Sequence, residues 1–242
     1  MIKLVIDIGN TTVKCAIFEQ TEMLGMVVVP QLSATSLAEF IVQYNEPTCA
    51  IIANVRNETE FQSHLKIVQQ RVGKVLVMDA ATKTPLRNLY QTPQTLGCDR
   101  LAAAVGANVL YPHRNVLVVS IGTALTYELV NEQDEYVGGN ISLGLRTRYA
   151  ALHHFTGKLP LCQPAAQVPT IGKNTCDAIT AGVQNGMLYE IQGAIHQFAS
   201  QYPRLQTVLT GGDAALFAPH LQDVPTIPHL TLTGLNRILD IF

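Results

Sequence analysis

Residues 5 to 14 read VIDIGNTTVK: an apolar run, an acid, a glycine, small polar residues, then a cation. The tip comprises Asp7, Ile8, Gly9, Asn10, Thr11 and Thr12, and Val13 and Lys14 follow it. Gly9 permits a tight backbone path, and successive N–H groups in such a turn form a nest for an anion. Thr11 and Thr12 add hydroxyls, and Lys14 adds positive charge. Asp7 is the odd member, because a carboxylate repels phosphate. It belongs there if Mg²⁺, or a water held by Mg²⁺, stands between them. The same residues also make an ordinary Asp/Asn hairpin turn with no ligand. Neither GxxxxGK(S/T) nor a strand followed by GxGxxG occurs, which excludes Walker and Rossmann loops.

Two further strand ends carry glycine and hydroxyls. Ser120-Ile121-Gly122-Thr123-Ala124 offers a second phosphate contact through Thr123, or a plain turn. In VLTGGDAALF, 208 to 217, Gly211 and Gly212 let backbone approach a flat ligand, and Asp213 takes a helix N-cap position. An ordinary strand-to-helix turn has the same composition. Three such sites in one chain favour nucleotide binding over coincidence. The fourth segment, LGCDRLAAAVGA at 96 to 107, opens an alanine-rich helix with Asp99 as its expected N-cap. Arg100 beside it opposes the helix dipole, so another interaction must hold it. Its guanidinium fork suits a carboxylate or polar small molecule, and Asp99 can accept a proton from a hydroxyl. These residue types fit phosphoryl transfer to an alcohol.

Strand-like runs (KLVIDI, VKCAIFE, MVVVP, CAIIANV, KVLVMD, NVLVVSI, LTYELV, TVLTGG) alternate with helix-period segments at 36 to 44, 58 to 72, 99 to 111 and 175 to 202. That alternation predicts an α/β fold with both sheet faces covered. VIDIGNTTVKCAI aligns on VVSIGTALTYELV, with Asp7 on Ser120 and Gly9 on Gly122. The match reads as two similar halves with facing glycine turns, 1 to 112 and 113 to 242, or as chance likeness of two buried hairpins. LPLCQPAAQVP, 159 to 169, is a proline-punctuated loop in the second half.

The chain has 242 residues, of which 48% are hydrophobic and 14% charged, with a net charge of −2. A sizeable core is expected and disorder is not. No basic stripe points to nucleic acid or an anionic membrane. No run approaches the length of a membrane span, and the N-terminus lacks a signal-peptide pattern. The five cysteines are scattered and no CxxC occurs, so core positions with reduced thiols in the cytoplasm are expected. His153 and His154 project in different directions on a helix and read as structural.

Taken in order, DIGNTTVK, GCDR, IGTALTYE, GGNISLGLRTRYAAL, TGKLP, IGKNTCDAITAG, LTGGDAALF and LTLTGL resemble the type III pantothenate kinases of bacteria, from residue 5 to about 235. The resemblance implies two similar actin-like (ribonuclease H-like) halves around an ATP cleft. It implies phosphorylation of pantothenate by ATP with Mg²⁺, the first step towards coenzyme A. The family's ATP-phosphate loop falls on Asp7 to Lys14, and its second phosphate loop on Thr123. Its catalytic aspartate falls on Asp99. Its pantothenate contacts fall on Tyr90, the turn Gly97-Cys98-Asp99-Arg100, and Thr175. In the family that threonine comes from a neighbouring subunit, which implies a homodimer with the helices after Asp99 and Thr175 at the interface.

Three positions depart from the family pattern. Ser120 replaces the aspartate that binds an activating potassium or ammonium ion, leaving a neutral hydroxyl with less charge to hold one. Glu128 stands for a shorter acid and Leu143 for a proline. Ser120 keeps open a kinase-like regulatory protein without activity. A related small-alcohol kinase is the other alternative.

Overall fold

The structure is a computed structural model that describes residues 1–242. In chain order the elements are β1 (Ile2–Ile8), β2 (Val13–Glu19), β3 (Glu22–Val29), α1 (Ala34–Ile41), β4 (Cys49–Asn54), α2 (Glu58–Gln69), β5 (Val75–Val77), β6 (Arg87–Asn88) and α3 (Cys98–Leu110). They continue as β7 (Val116–Ile121), β8 (Ala124–Val130), β9 (Glu135–Leu143), α4 (Leu145–Phe155), α5 (Thr175–Thr180), α6 (Gly186–Gln201), β10 (Gln206–Thr210), α7 (Ala214–Phe217) and α8 (Leu230–Leu239). No helix is long and apolar enough to cross a membrane.

The chain forms two compact units. The first holds Met1–Pro112, Gln133–Val137 and His229–Phe242. The second holds His113–Glu132 and Gly138–Pro228. One sheet runs β3-β2-β1-β4-β5 and the other β6-β9-β8-β7-β10. The shared pattern is a hairpin whose first strand also pairs, in parallel, with a strand that returns through helix: β1 with β4, and β7 with β10. Both sheets are therefore wound alike, which is the basis of the sequence repeat.

Every residue of β1 is buried, as expected for a central strand covered on both faces. One consequence is that Lys3, 1% exposed, needs a counter-charge, and its Nζ donates to Asp240 at 2.6 Å. Asp240 follows α8, so the C-terminal helix is tied to the first strand. α8 also lies on α3 so closely that a Cβ on Gly234 would meet the carbonyl oxygen of Ala102 at 1.8 Å. The same packing fills Gly106, where a Cβ would lie 2.2 Å from the Leu230 carbonyl oxygen. Arg100 to Asn108 of α3 are buried within this unit, and Val109 and Leu110 are the exposed apolar residues at its end.

Two features lack a local signal. β9 contains Gly138-Gly139, and a Cβ on Gly139 would come 1.7 Å from the Tyr127 carbonyl oxygen. Gly139 serves close strand packing, and Gly138 takes φ 136°, in a region that favours glycine. The long 175 to 202 helix is broken by a π-helical turn, Ala181–Asn185. That turn aims Gln184 at the proline-punctuated loop. Its amide accepts from Ala165 N–H at 2.7 Å and donates to the Ala165 carbonyl at 3.0 Å.

Candidate active site

Asp7 and Lys14 stand directly opposite in the β1–β2 register, so both side chains share a face. Lys14 Nζ lies 3.3 Å from Asp7 Oδ2. The turn between the strands closes with Gly9 N–H donating to the Thr12 carbonyl at 3.0 Å. Asn10 and Thr11 are exposed at its tip, whereas Ile8 and Val13 are fully buried. Only the backbone of those two can face a ligand. Arg56 braces the turn from outside: its Nε donates to the Gly9 carbonyl at 2.8 Å and Nη2 to the Pro30 carbonyl at 3.1 Å. No local motif marks Arg56 in the sequence, since the contact spans 47 positions.

Asp99 is not the helix cap. Gly97 takes that position, and Asp99 lies in the first turn with Oδ1 accepting from Arg100 N–H at 2.9 Å. Glycine at the cap leaves the Asp99 carboxylate its position, because a Cβ there would stand 2.6 Å from Asp99 Oδ1 and the side chain would have to shift. Burial raises the Asp99 pKa, and the nearby Asp7 charge raises it further. The Arg100 amide and guanidinium act in the opposite direction. A carboxylate reluctant to ionise is a better proton acceptor than a solvated one.

Arg100 is buried, with its guanidinium carbon 5.9 Å from the centre of the Tyr90 ring. Tyr90 in turn stands 6.2 Å from the Tyr136 ring. That cation–π contact helps hold an arginine at the wrong end of a helix dipole. The first unit thus brings together Asp7, the Gly9–Thr12 turn, Lys14, Asp99, Arg100 and Tyr90. His229, at the start of α8, joins them. Burial and then the Lys14 charge hold its imidazole below its ordinary pKa. Its place beside a lysine 215 residues away could not be read locally.

Mg²⁺ is bound through one or two carboxylates, with phosphates and water filling its other positions. Asp7 supplies a hard oxygen donor, and its charge, which adds to burial in raising the Asp99 pKa, is what a cation offsets. The residues present therefore fit such an ion.

In the second unit, Ser120 is opposite Thr126 on one side and Thr210 on the other. Opposed residues share a face, so three neutral hydroxyls form a row. Gly122 N–H donates to the Ala124 carbonyl at 3.0 Å and closes the turn. α4 braces that turn: Gly144 N–H and Thr147 Oγ1 donate to the Thr123 carbonyl at 3.1 and 2.7 Å. Gly144 was not singled out in the sequence, yet a Cβ there would lie 2.0 Å from the Gly122 carbonyl oxygen.

The third glycine site joins the second. Gly211 has φ +98°, where L side chains are strained, and a Cβ would meet the Ile121 carbonyl oxygen at 2.3 Å. Asp213 N–H donates to that same oxygen at 3.1 Å. Its side chain makes no capping bond and lies 3.6 Å from Arg146. Gly122, Thr123, Gly211 and Gly212 therefore form one backbone-rich surface. Thr175 is placed apart from it. It lines a cavity of about 520 Å³ with Arg148, Leu152, Leu159 and Ile179.

His153 Nδ1 meets the Leu159 carbonyl at 2.8 Å, and the His154 ring stands edge-on to Phe155, consistent with structural roles. The cysteines correct the expectation in one respect. Cys15, Cys49 and Cys162 are buried, but Cys176 is exposed and its sulfur lies 2.6 Å from that of Cys162.

Solved structures with this architecture define its class. A protein from Campylobacter jejuni described as a conserved Baf family transcriptional activator has a TM-score of 0.66 at 22% identity, covering 98% of each chain. The activator of 2-hydroxyisocaproyl-CoA dehydratase from Clostridium difficile, solved with ADPNP, has a TM-score of 0.56 at 11% identity, covering 99% of this chain and 94% of that one. The fold is the actin-like, sugar-kinase-type fold with two similar halves. Within that class, residues 3–197 match the family model of type III pantothenate kinase. A type III pantothenate kinase of Bacteroides fragilis is 43% identical over 98% of this chain and 97% of its own. That of Cytophaga hutchinsonii is 39% identical over 98% of each. The chain belongs to the type III pantothenate kinase family.

Proposed function

We propose that this protein transfers the γ-phosphoryl group of ATP to the primary hydroxyl of pantothenate, giving 4'-phosphopantothenate, the first step of coenzyme A biosynthesis. The observation that carries this reading is Asp99, raised in pKa beside Asp7 and oriented by the Arg100 amide. In this reading Asp99 takes the hydroxyl proton as the oxygen attacks phosphorus. Arg100, positioned over Tyr90, and the Gly97–Cys98 backbone orient pantothenate. The backbone from Gly9 to Thr12 and Lys14 hold ATP phosphates, with Thr123 as a second contact and Gly211-Gly212 beside the rest of the nucleotide. Asp7 would hold Mg²⁺, which would supply charge to offset the phosphate oxygens. Catalysis of this kind rests on positioning and electrostatics.

Thr175 serves pantothenate in a second copy of the chain, which makes the protein a homodimer, and we place it in the cytoplasm. ADP release is expected to depend on pantothenate and Mg²⁺, with other small alcohols turned over poorly. The 26.3 kDa chain should sediment at twice its mass. ADP release without pantothenate dependence would overturn the assignment, in favour of a regulatory protein or of another kinase if a different alcohol is used.

Potassium or ammonium would be held only weakly at Ser120. The Ser120, Thr126 and Thr210 row offers neutral oxygens without the charge of the family's aspartate. Turnover should respond weakly to either ion. Ser120→Asp should raise the rate in potassium over that in a bulky organic cation, and an unchanged ratio would put cation binding elsewhere.

A further inference from the structure

Residues 156–174 form no helix or strand. A segment of that length inside a compact unit is uncommon unless it has a task. It is held at discrete points: the Leu159 carbonyl by His153, Ala165 by Gln184, and the Pro169 carbonyl by Asn185 Nδ2 at 3.0 Å. Cys162 lies midway between the first two ties. Its Sγ is directed at Cys176 Sγ in the first turn of α5, 2.6 Å away, and also approaches the Pro160 carbonyl at 3.7 Å. Sulfurs this close need only a short approach to reach the ~2.05 Å of a disulfide.

The two thiols are unequal. Cys176 is exposed, whereas Cys162 is 6% exposed. The hydrogen bond to Cys176, followed by burial, pushes the Cys162 thiol up to about 11. Solvent and small oxidants therefore meet Cys176 first, with Cys162 placed to resolve the product. This is the arrangement of an attacking and a resolving thiol.

We propose that Cys162 and Cys176 are a reversible redox modification site whose disulfide locks the 156–174 segment onto α5. The oxidant is a low-molecular-weight disulfide such as oxidised glutathione. Cys176, as thiolate, attacks one sulfur of the oxidant and displaces one glutathione thiolate, which takes a proton from water. Cys162 then gives up its proton to solvent and attacks the Cys176 sulfur, displacing the second glutathione. Two protein thiols are oxidised to one disulfide, and one disulfide is reduced to two thiols. The bond adds a fourth tie beside Thr175, and it stands whatever the chain phosphorylates.

The test incubates the full chain with oxidised glutathione and then counts thiols in denaturant. Titratable thiols should fall from the five of the sequence to three. The intact mass should fall by two hydrogens with no adduct, and peptide mapping should link residues 162 and 176. Tryptic cleavage at Lys158 and Lys173, both exposed, should slow several-fold in the oxidised protein and recover with dithiothreitol. Cys176→Ser, at an exposed position, and Cys162→Ser should form no bridge and show no change in cleavage. Five thiols remaining, a lasting glutathione adduct on Cys176 alone, or a link between two chains would each overturn the proposal.

Discussion

Asp99→Asn is expected to lower turnover by about 10²–10⁴-fold, the usual worth of a positioned general base. Asparagine keeps the oxygen that accepts from the Arg100 amide, so the first turn of α3 is preserved. The acid limb of kcat/KM in the parent enzyme should lie above the ordinary aspartate range, because burial and Asp7 raise the Asp99 pKa. Activity rises with pH as that carboxyl ionises, and the residual activity of the variant should lose this limb. Stability should move the other way. A carboxyl whose folded pKa is raised contributes stability below its unfolded pKa and loses it as pH rises through the folded value. The variant should therefore melt with the parent in acid and above it at neutral pH. Thermal melts at pH 3 and pH 7, beside initial rates of ADP release, check both halves. A near-normal rate would reduce Asp99 to a structural role, and a lower neutral melting temperature would contradict the burial argument.

Gly234→Ala is expected to damage both fold and activity from a position outside the site. The new Cβ would meet backbone of α3, 1.8 Å from the Ala102 carbonyl oxygen, and backbone cannot rotate away as a side chain can. Overpacking of this kind costs about 3 kcal/mol at the upper end of its usual range. The gain in helix propensity returns about 1 kcal/mol. A net loss of roughly 2 kcal/mol lowers Tm by about 4–8 °C for a chain of this size. α3 carries Asp99 in its first turn, so parting the two helices should also cut kcat by at least about tenfold, as small misplacements of catalytic groups do. Gly193→Ala in α6 is the control. A Cβ there meets nothing within 4 Å, so melting should rise slightly and the rate should hold. Equal behaviour of the two variants would show that α8 yields without moving α3.

The strands β1, β2, β4, β7, β8 and β10 were legible because each is an apolar run with its own β-branched residues and a turn at its end. α2, α3 and the long 175 to 202 helix carried their own periodicity. The likeness of the two hairpins was visible for the same reason, since both repeat the same local order of apolar residues around a glycine. β9 was hidden by a glycine pair that tertiary packing requires, and α8 by a start that carries no cap. That start is His229 at φ 57°, in the left-handed region. The motif glycines and acids could be named from sequence, because a turn and its chemistry lie within a few residues. Chain order also assigned α8 to the second half, whereas the ion pair of Lys3 with Asp240 ties it to β1.

The sequence by itself determined most of the elements, the glycine-bearing tips and the acid at residue 99, since local sterics and periodicity act over a few positions. Only the tertiary structure decided which groups meet. It placed Asp7 within electrostatic reach of Asp99, Arg56 under the Gly9 turn, His229 beside Lys14, and Cys162 against Cys176. Such meetings follow from how strands return and helices pack, and no single segment of the chain encodes them.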